Sequence, residues 1–257
     1  MLRPYSARSP WAFVAASELS DALDSRPALS LATQRWRMRK RLAAARIVAA
    51  DRPILIDSFP RSGSSFAYHA FIEANPDCDR RVATHQHRSS QFLIADRLGV
   101  PALVLVRGPR DAVVSLLAMG IDQGFLPALS GRGARRCIAS ALRRYARFHE
   151  RVLPVHNLVI AGFEEVTQDF GQVISRVNTR FGTNFVPFQH DEKRVAEMLQ
   201  RLSGRKRHLA PNVDRDWIKA ALVETYDASE LASTRERAES AYVQMIIRRD
   251  AQITRGA

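Results

Sequence analysis

The chain has 257 residues, 46% of them hydrophobic and 25% charged. That is enough apolar material for one sizeable core, and it excludes a disordered tail or a disulfide-stapled miniprotein. The formal net charge of +13 is carried by 35 arginines and four lysines spread over the whole length. Such a balance attracts acidic surfaces and phosphorylated or sulfated small molecules. No aromatic-interleaved basic stripe or zinc-finger spacing accompanies it, so specific nucleic-acid binding is not expected. Cys78 and Cys137 offer neither a disulfide framework nor a metal-ligand spacing. No apolar run approaches the ~20 residues of a membrane-spanning helix, and Pro10 to Ala16 is short for a signal-peptide core. Cytoplasmic residence is the expectation.

Residues 1–52 read as a helical N-terminal extension, with Ser20 or Asp21 as candidate caps. Its basic cluster, Arg35, Arg37, Arg39, Lys40 and Arg41, reads as a solvated helix face, with peripheral contact to a membrane surface as the alternative. Residues 53–257 read as one α/β domain. Pro53 punctuates, and Ile54 to Ser58 form a short, mostly apolar run typical of a strand covered on both faces. Runs at 102–106 and 157–161 repeat that pattern, and 81–84 is a fourth candidate. Between them lie helical stripes: Ile138, Leu142, Tyr145 and Phe148 on one, Phe170, Ile174, Val177 and Phe181 on another. Trp217, Ile218, Ala221 and Leu222 read as core, and Gly120, Gly124, Gly131 and Gly133 as a surface loop or a lid. Strands alternating with helices predict a parallel β-sheet flanked by helices on both faces, with ligands at the carboxyl ends of the strands.

The first strand runs into Phe59-Pro60-Arg61-Ser62-Gly63-Ser64-Ser65-Phe66, after which an amphipathic helix begins. Unpaired backbone N–H groups and the helix dipole make such a junction attractive to an anion. Gly63 permits close approach, Arg61 adds a full charge, and the hydroxyls of Ser64 and Ser65 add short-range donors. The triphosphatase pattern Gly-x-x-x-x-Gly-Lys-Ser/Thr is absent, and no metal is expected. A second constellation follows the strand at 102–106: Arg107 at its carboxyl end, Pro109 suited to a first helical turn, Asp111 one turn before Ser115. Asp111 reads as a helix-start or arginine-pairing residue.

Together the two motifs resemble the cofactor motifs of the PAPS-dependent sulfotransferases, with their P-loop-like nucleotide-binding architecture. The resemblance covers residues 54 to about 181. It implies that Arg61, Ser62, Gly63, Ser64, Ser65 and Phe66 hold the 5′ end of 3′-phosphoadenosine 5′-phosphosulfate (PAPS), and that Arg107 and Ser115 bind its 3′-phosphate. Arg61 stands where many members have a lysine and Phe66 where a tryptophan is usual. Phe163-Glu164 resembles the Tyr-Glu pair near adenine. Ala83-Thr84-His85 resembles Lys-Thr-His, which makes His85 the expected general base and His87 its rival. The family lysine is absent, with Arg88 a candidate substitute. Gly204 to His208 resembles the basic clamp of the family, which would add Arg205 and Lys206 to the nucleotide contacts. The implied activity is sulfuryl transfer to a hydroxyl or amine of a small-molecule or carbohydrate acceptor. The alternatives are a catalytically inactive nucleotide-binding protein of the same fold and a basic nucleic-acid-binding module.

Overall fold

The computed structural model describes residues 9–38, 46–203 and 213–256. Four strands, β1 (Leu55–Ser58), β2 (Ala83–Thr84), β3 (Ala102–Val106) and β4 (Val159–Gly162), form a parallel sheet in the order β2-β1-β3-β4. Helices α1 (Pro10–Asp24) and α2 (Pro27–Met38) precede it. Helix α3 (Ser64–Ala74) follows β1, α4 (Ser89–Leu98) follows β2, and α5 (Pro109–Asp122) and α6 (Gly131–Val152) follow β3. After β4 come α7 (Phe163–Gln168), α8 (Phe170–Phe181), α9 (Glu192–Ser203), α10 (Val213–Tyr226) and α11 (Ala232–Gly256).

Alternation along each strand divides the apolar residues between two cores. Ile56, Leu103, Leu105 and Ala161 pack with Phe71 of α3 and Phe170, Ile174 and Val177 of α8. Leu55, Val104, Val106 and Ile160 pack with Val113 and Leu117 of α5 and Ile138, Leu142 and Tyr145 of α6. Both faces are buried, which explains why the strands read as mostly apolar runs without polar alternation. The run at 81–84 yields only two paired residues, because Arg81 is exposed and the backbone turns left-handed at His85. At the other edge α11 covers β4: the Ile160 N–H donates to Gln252 Oε1 at 3.1 Å, and Gln252 Nε2 donates to the Leu158 carbonyl at 2.7 Å.

Ser9, not Ser20 or Asp21, caps α1, its hydroxyl accepting from the Ala12 N–H at 3.2 Å. Ser20 and Asp21 lie inside that helix, and Glu18, Asp21 and Asp24 form an acidic stripe along it. Arg147 pairs with Glu18 at 2.9 Å and with Asp21 at 3.0 Å, and Arg151 pairs with Asp21 at 2.6 Å. Much of the arginine face of α6 therefore serves to dock α1. The glycine-rich stretch is not one loop. Gly120 lies inside α5 against Leu126, Gly131 and Gly133 open α6, and only 123–130 link the helices. Trp217 and Ala221 are exposed rather than core, because Arg215, Leu222 and Tyr226 take the buried face of α10 and residues 217 and 221 project away from it. No helix among the described residues is long and apolar enough to cross a membrane.

Candidate functional site

The chain leaves β1 through a turn in which Arg61 is left-handed at φ 71° and Gly63, at φ 96°, caps α3. The left-handed backbone favours glycine at position 63, and a Cβ there would make a tight 3.3 Å contact with the Phe163 ring. Beyond it, the first amides of α3 lack intrahelical partners. Ser62 is fully buried, and its hydroxyl has no hydrogen-bond partner among the described residues. A buried, unpaired hydroxyl beside a helix start is what a cradle for an anion would leave.

Arg107, at the carboxyl end of β3, closes over the same turn. Its Nη1 donates to the Arg61 carbonyl at 3.1 Å, and its guanidinium lies 4.2 Å above the Phe163 ring. Asp111 is 3.8 Å from it, as expected of a pairing residue. The buried Nε of Arg107 finds no partner among the described residues. From α6, the Tyr145 hydroxyl donates to the Arg107 carbonyl at 2.6 Å and fixes that end of the strand. Arg61 Nε donates to Ser115 Oγ at 3.1 Å, and its Nη1 lies 3.6 Å from the Met119 sulfur. Two residues expected at opposite ends of one nucleotide thus touch each other.

Burial, then the neighbouring charges of Arg215 and Arg107, lower the Arg61 guanidinium to about 10. Arg215 is itself buried and paired with Asp122 at 2.8 Å. Like charges gathered in a desolvated space raise the energy of the charged state, and an anion placed among them lowers it again.

The third part of the site comes from β2. Of four non-glycine residues with positive φ among those described, Arg61, His85 and His87 stand at strand ends, and the fourth is Arg80. Left-handed backbone of this kind costs energy and gathers at functional sites. His85 Nε2 is 3.0 Å from Ser65 Oγ, and its Nδ1 is 3.0 Å from Thr84 Oγ1. His87 Nδ1 lies 2.9 Å from the Ser58 carbonyl and 3.3 Å from Asp57. A carbonyl only accepts, so Nδ1 of His87 carries a proton.

The sequence motifs therefore converge: residues 61–66, His85, Arg107, Ser115 and Phe163 surround the carboxyl ends of the strands. No protein-family model matches the chain, and no curated protein matches it in sequence. Among solved structures, mouse sulfotransferase SULT7A1 complexed with PAP aligns with 77% of this chain and 93% of its own, at 16% identity and a TM-score of 0.40. At that distance the alignment says nothing about individual residues. Phe66 faces His190 at 5.8 Å between ring centres, and Glu164 is exposed. Arg88 donates to the Ser20 carbonyl of α1, and Arg205 and Lys206 lie outside the described residues. Tyr145, Asp57 and Arg215 join the site without having been singled out by motif. No group of three His, Cys, Asp or Glu side chains suited to a metal occurs among the described residues.

Proposed function

We propose that this protein is a sulfotransferase that moves a sulfuryl group from PAPS to a hydroxyl or amine of a small-molecule or carbohydrate acceptor. The observation that carries the reading is the closure of Arg107 on the turn of Arg61, its Nη1 3.1 Å from the Arg61 carbonyl, with the Ser62 hydroxyl of that turn and Arg107 Nε both buried and without partners among the described residues. Both orphans are donors, and the chemistry they lack is that of anionic oxygens.

In this reading Ser62, Gly63, Ser64 and Ser65 cradle the 5′ end of the donor, Arg107 and Ser115 take its 3′-phosphate, and Phe66 and Phe163 flank the base. PAPS supplies an activated sulfuryl group whose departure leaves charge on a phosphate oxygen. Transfer of this type has a loose transition state, so the protein acts through alignment and through preorganised charge. Arg61 and the amides at the start of α3 face that developing charge. His85, beside Ser65, accepts the proton of the acceptor; an imidazole is suited to that near neutral pH.

A second reading, a nucleotide-binding protein without catalysis, is favoured by Ala83, which stands where the family has a lysine. Calorimetric titration with PAP, against ATP and magnesium as control, tests the shared nucleotide site. Mass-spectrometric detection of a sulfo group added from PAPS to any member of an acceptor library separates the two readings. Affinity for nucleic acid that falls steeply with salt, together with indifference to PAP, would overturn both.

A further inference from the structure

Asp57 is a carboxylate with no exposed surface, set in a strand whose neighbours are apolar. A buried charge persists only when its oxygens are satisfied. Oδ2 accepts the N–H groups of Gln86 and His87, at 2.8 and 3.0 Å. Oδ1 accepts the Ser58 N–H at 2.8 Å and lies 3.3 Å from His87 Nδ1. Burial alone would raise this carboxyl, but the charge and hydrogen bond of His87, then His85 and the Ser58 amide, bring it below its ordinary value. Asp57 is therefore an anion inside a concavity of backbone amides.

The Gln86 and His87 amides belong to the segment in which His85 and His87 are both left-handed, at φ 57° and 52°. A non-glycine residue in that region costs on the order of 1–3 kcal/mol. Two of them two residues apart need a device that holds them. Successive N–H groups converging on one carboxylate provide it, and Arg144 of α6 holds the His87 carbonyl from the other side at 3.4 Å. The held turn is the one that brings the His85 ring to Ser65.

We propose that Asp57 and His87 are positioning residues: Asp57 anchors the 85–87 turn through its backbone amides, His87 completes the anchor through Nδ1, and His85 alone takes the proton. This assignment rests on the sulfotransferase reading above. Asn at position 57 cannot substitute, because whichever way its amide is turned, its NH₂ faces N–H donors.

The test compares wild type with Asp57→Asn, His87→Ala and His87→Asn for PAP affinity by calorimetry, steady-state transfer, and ¹⁵N spectra of the histidine rings. Asp57→Asn should bind PAP within about twofold of wild type and keep its donor KM. Its kcat should fall ~10²-fold, the effect of a misplaced reacting group, and the His85 ring signals should shift although Asp57 does not touch that ring. An unchanged kcat, or a loss matched by an equal loss of PAP affinity, overturns the proposal. His87→Ala removes the Nδ1 donor and should lower transfer about tenfold, whereas His87→Asn tolerates left-handed backbone, keeps a donor near that position and should restore most of the lost activity. No loss in His87→Ala, or an equal loss in both, overturns the assignment of His87, and this pair decides the matter should Asp57→Asn not fold. Wild type that fails to bind PAP would defeat the sulfotransferase reading. The positioning claim then stands or falls on whether the His85 signals move in Asp57→Asn.

Discussion

Arg61 occupies a costly backbone conformation and a desolvated place among other guanidinium groups, so its presence is explained by what it faces rather than by stability. Replacing it with alanine should lower turnover by ~10²–10³, as loss of one preorganised charge partner does, with little loss of thermal stability. Steady-state kinetics beside a melting curve checks both parts. His149, packed under the site against Tyr145 and Phe59, behaves in the opposite way. Burial lowers it to about 4. The folded state thus binds fewer protons than the unfolded one between pH 6.5 and 4, and the stability that His149 permits is present above 6.5 and lost as pH falls toward 4. The loss amounts to about 3 kcal/mol. Denaturation at pH 7 and pH 5 should show a steeper decline for wild type than for His149→Phe. At this scale, Arg61, Gly63, His85 and Arg107 were legible because they sit in short motifs at strand ends. Asp57 was less so, since a single carboxylate in an apolar run does not announce the backbone amides that satisfy it.

Helix α6 links much of what the site needs. Its Tyr145 holds the Arg107 carbonyl, its Arg144 holds the His87 carbonyl, and its outer arginines dock α1. Tyr145→Phe leaves a strand-end carbonyl unpaired and should cost about 1–2 kcal/mol, measurable by urea denaturation, with a few-fold loss of PAP affinity. Helix α1 reaches the site indirectly. Asp24 accepts the Ser89 N–H at 2.8 Å, the Ser89 hydroxyl at 2.7 Å and the Ser90 N–H at 3.1 Å, and so caps α4 from another helix. Asp24→Ala should cost about 1–2 kcal/mol, the range for a lost cap, read from the same denaturation experiment. Helical periodicity made the stripes of α6 and α8 readable. It misjudged α10, where a buried Arg215–Asp122 pair selects the face and leaves Trp217 outside. Ion pairs between distant segments are invisible to periodicity.

At the scale of the whole molecule, the parallel sheet was readable from three apolar runs, since a strand covered on both faces has no polar alternation to obscure it. The short β2 and the exact limits of β4 were not, because they depend on where neighbouring backbone turns away. The excess of positive charge is concentrated in function rather than in number: Arg143, Arg147 and Arg151 are neutralised by α1, whereas Arg61 and Arg107 meet at the site. PAP at ~100 times its dissociation constant should therefore stabilise the fold by about 2.7 kcal/mol, a rise in melting temperature of roughly 5–10 °C for a chain of this size. A thermal-shift titration reads this directly.

The amide side chain of Gln252 has a separate consequence. By imitating one rung of a neighbouring strand, it occupies groups on the outer rim of β4 through which another polypeptide would otherwise join the sheet. Molecules shortened before that glutamine should self-associate through this rim, and light scattering would register the change even where enzymatic assays had nothing to report.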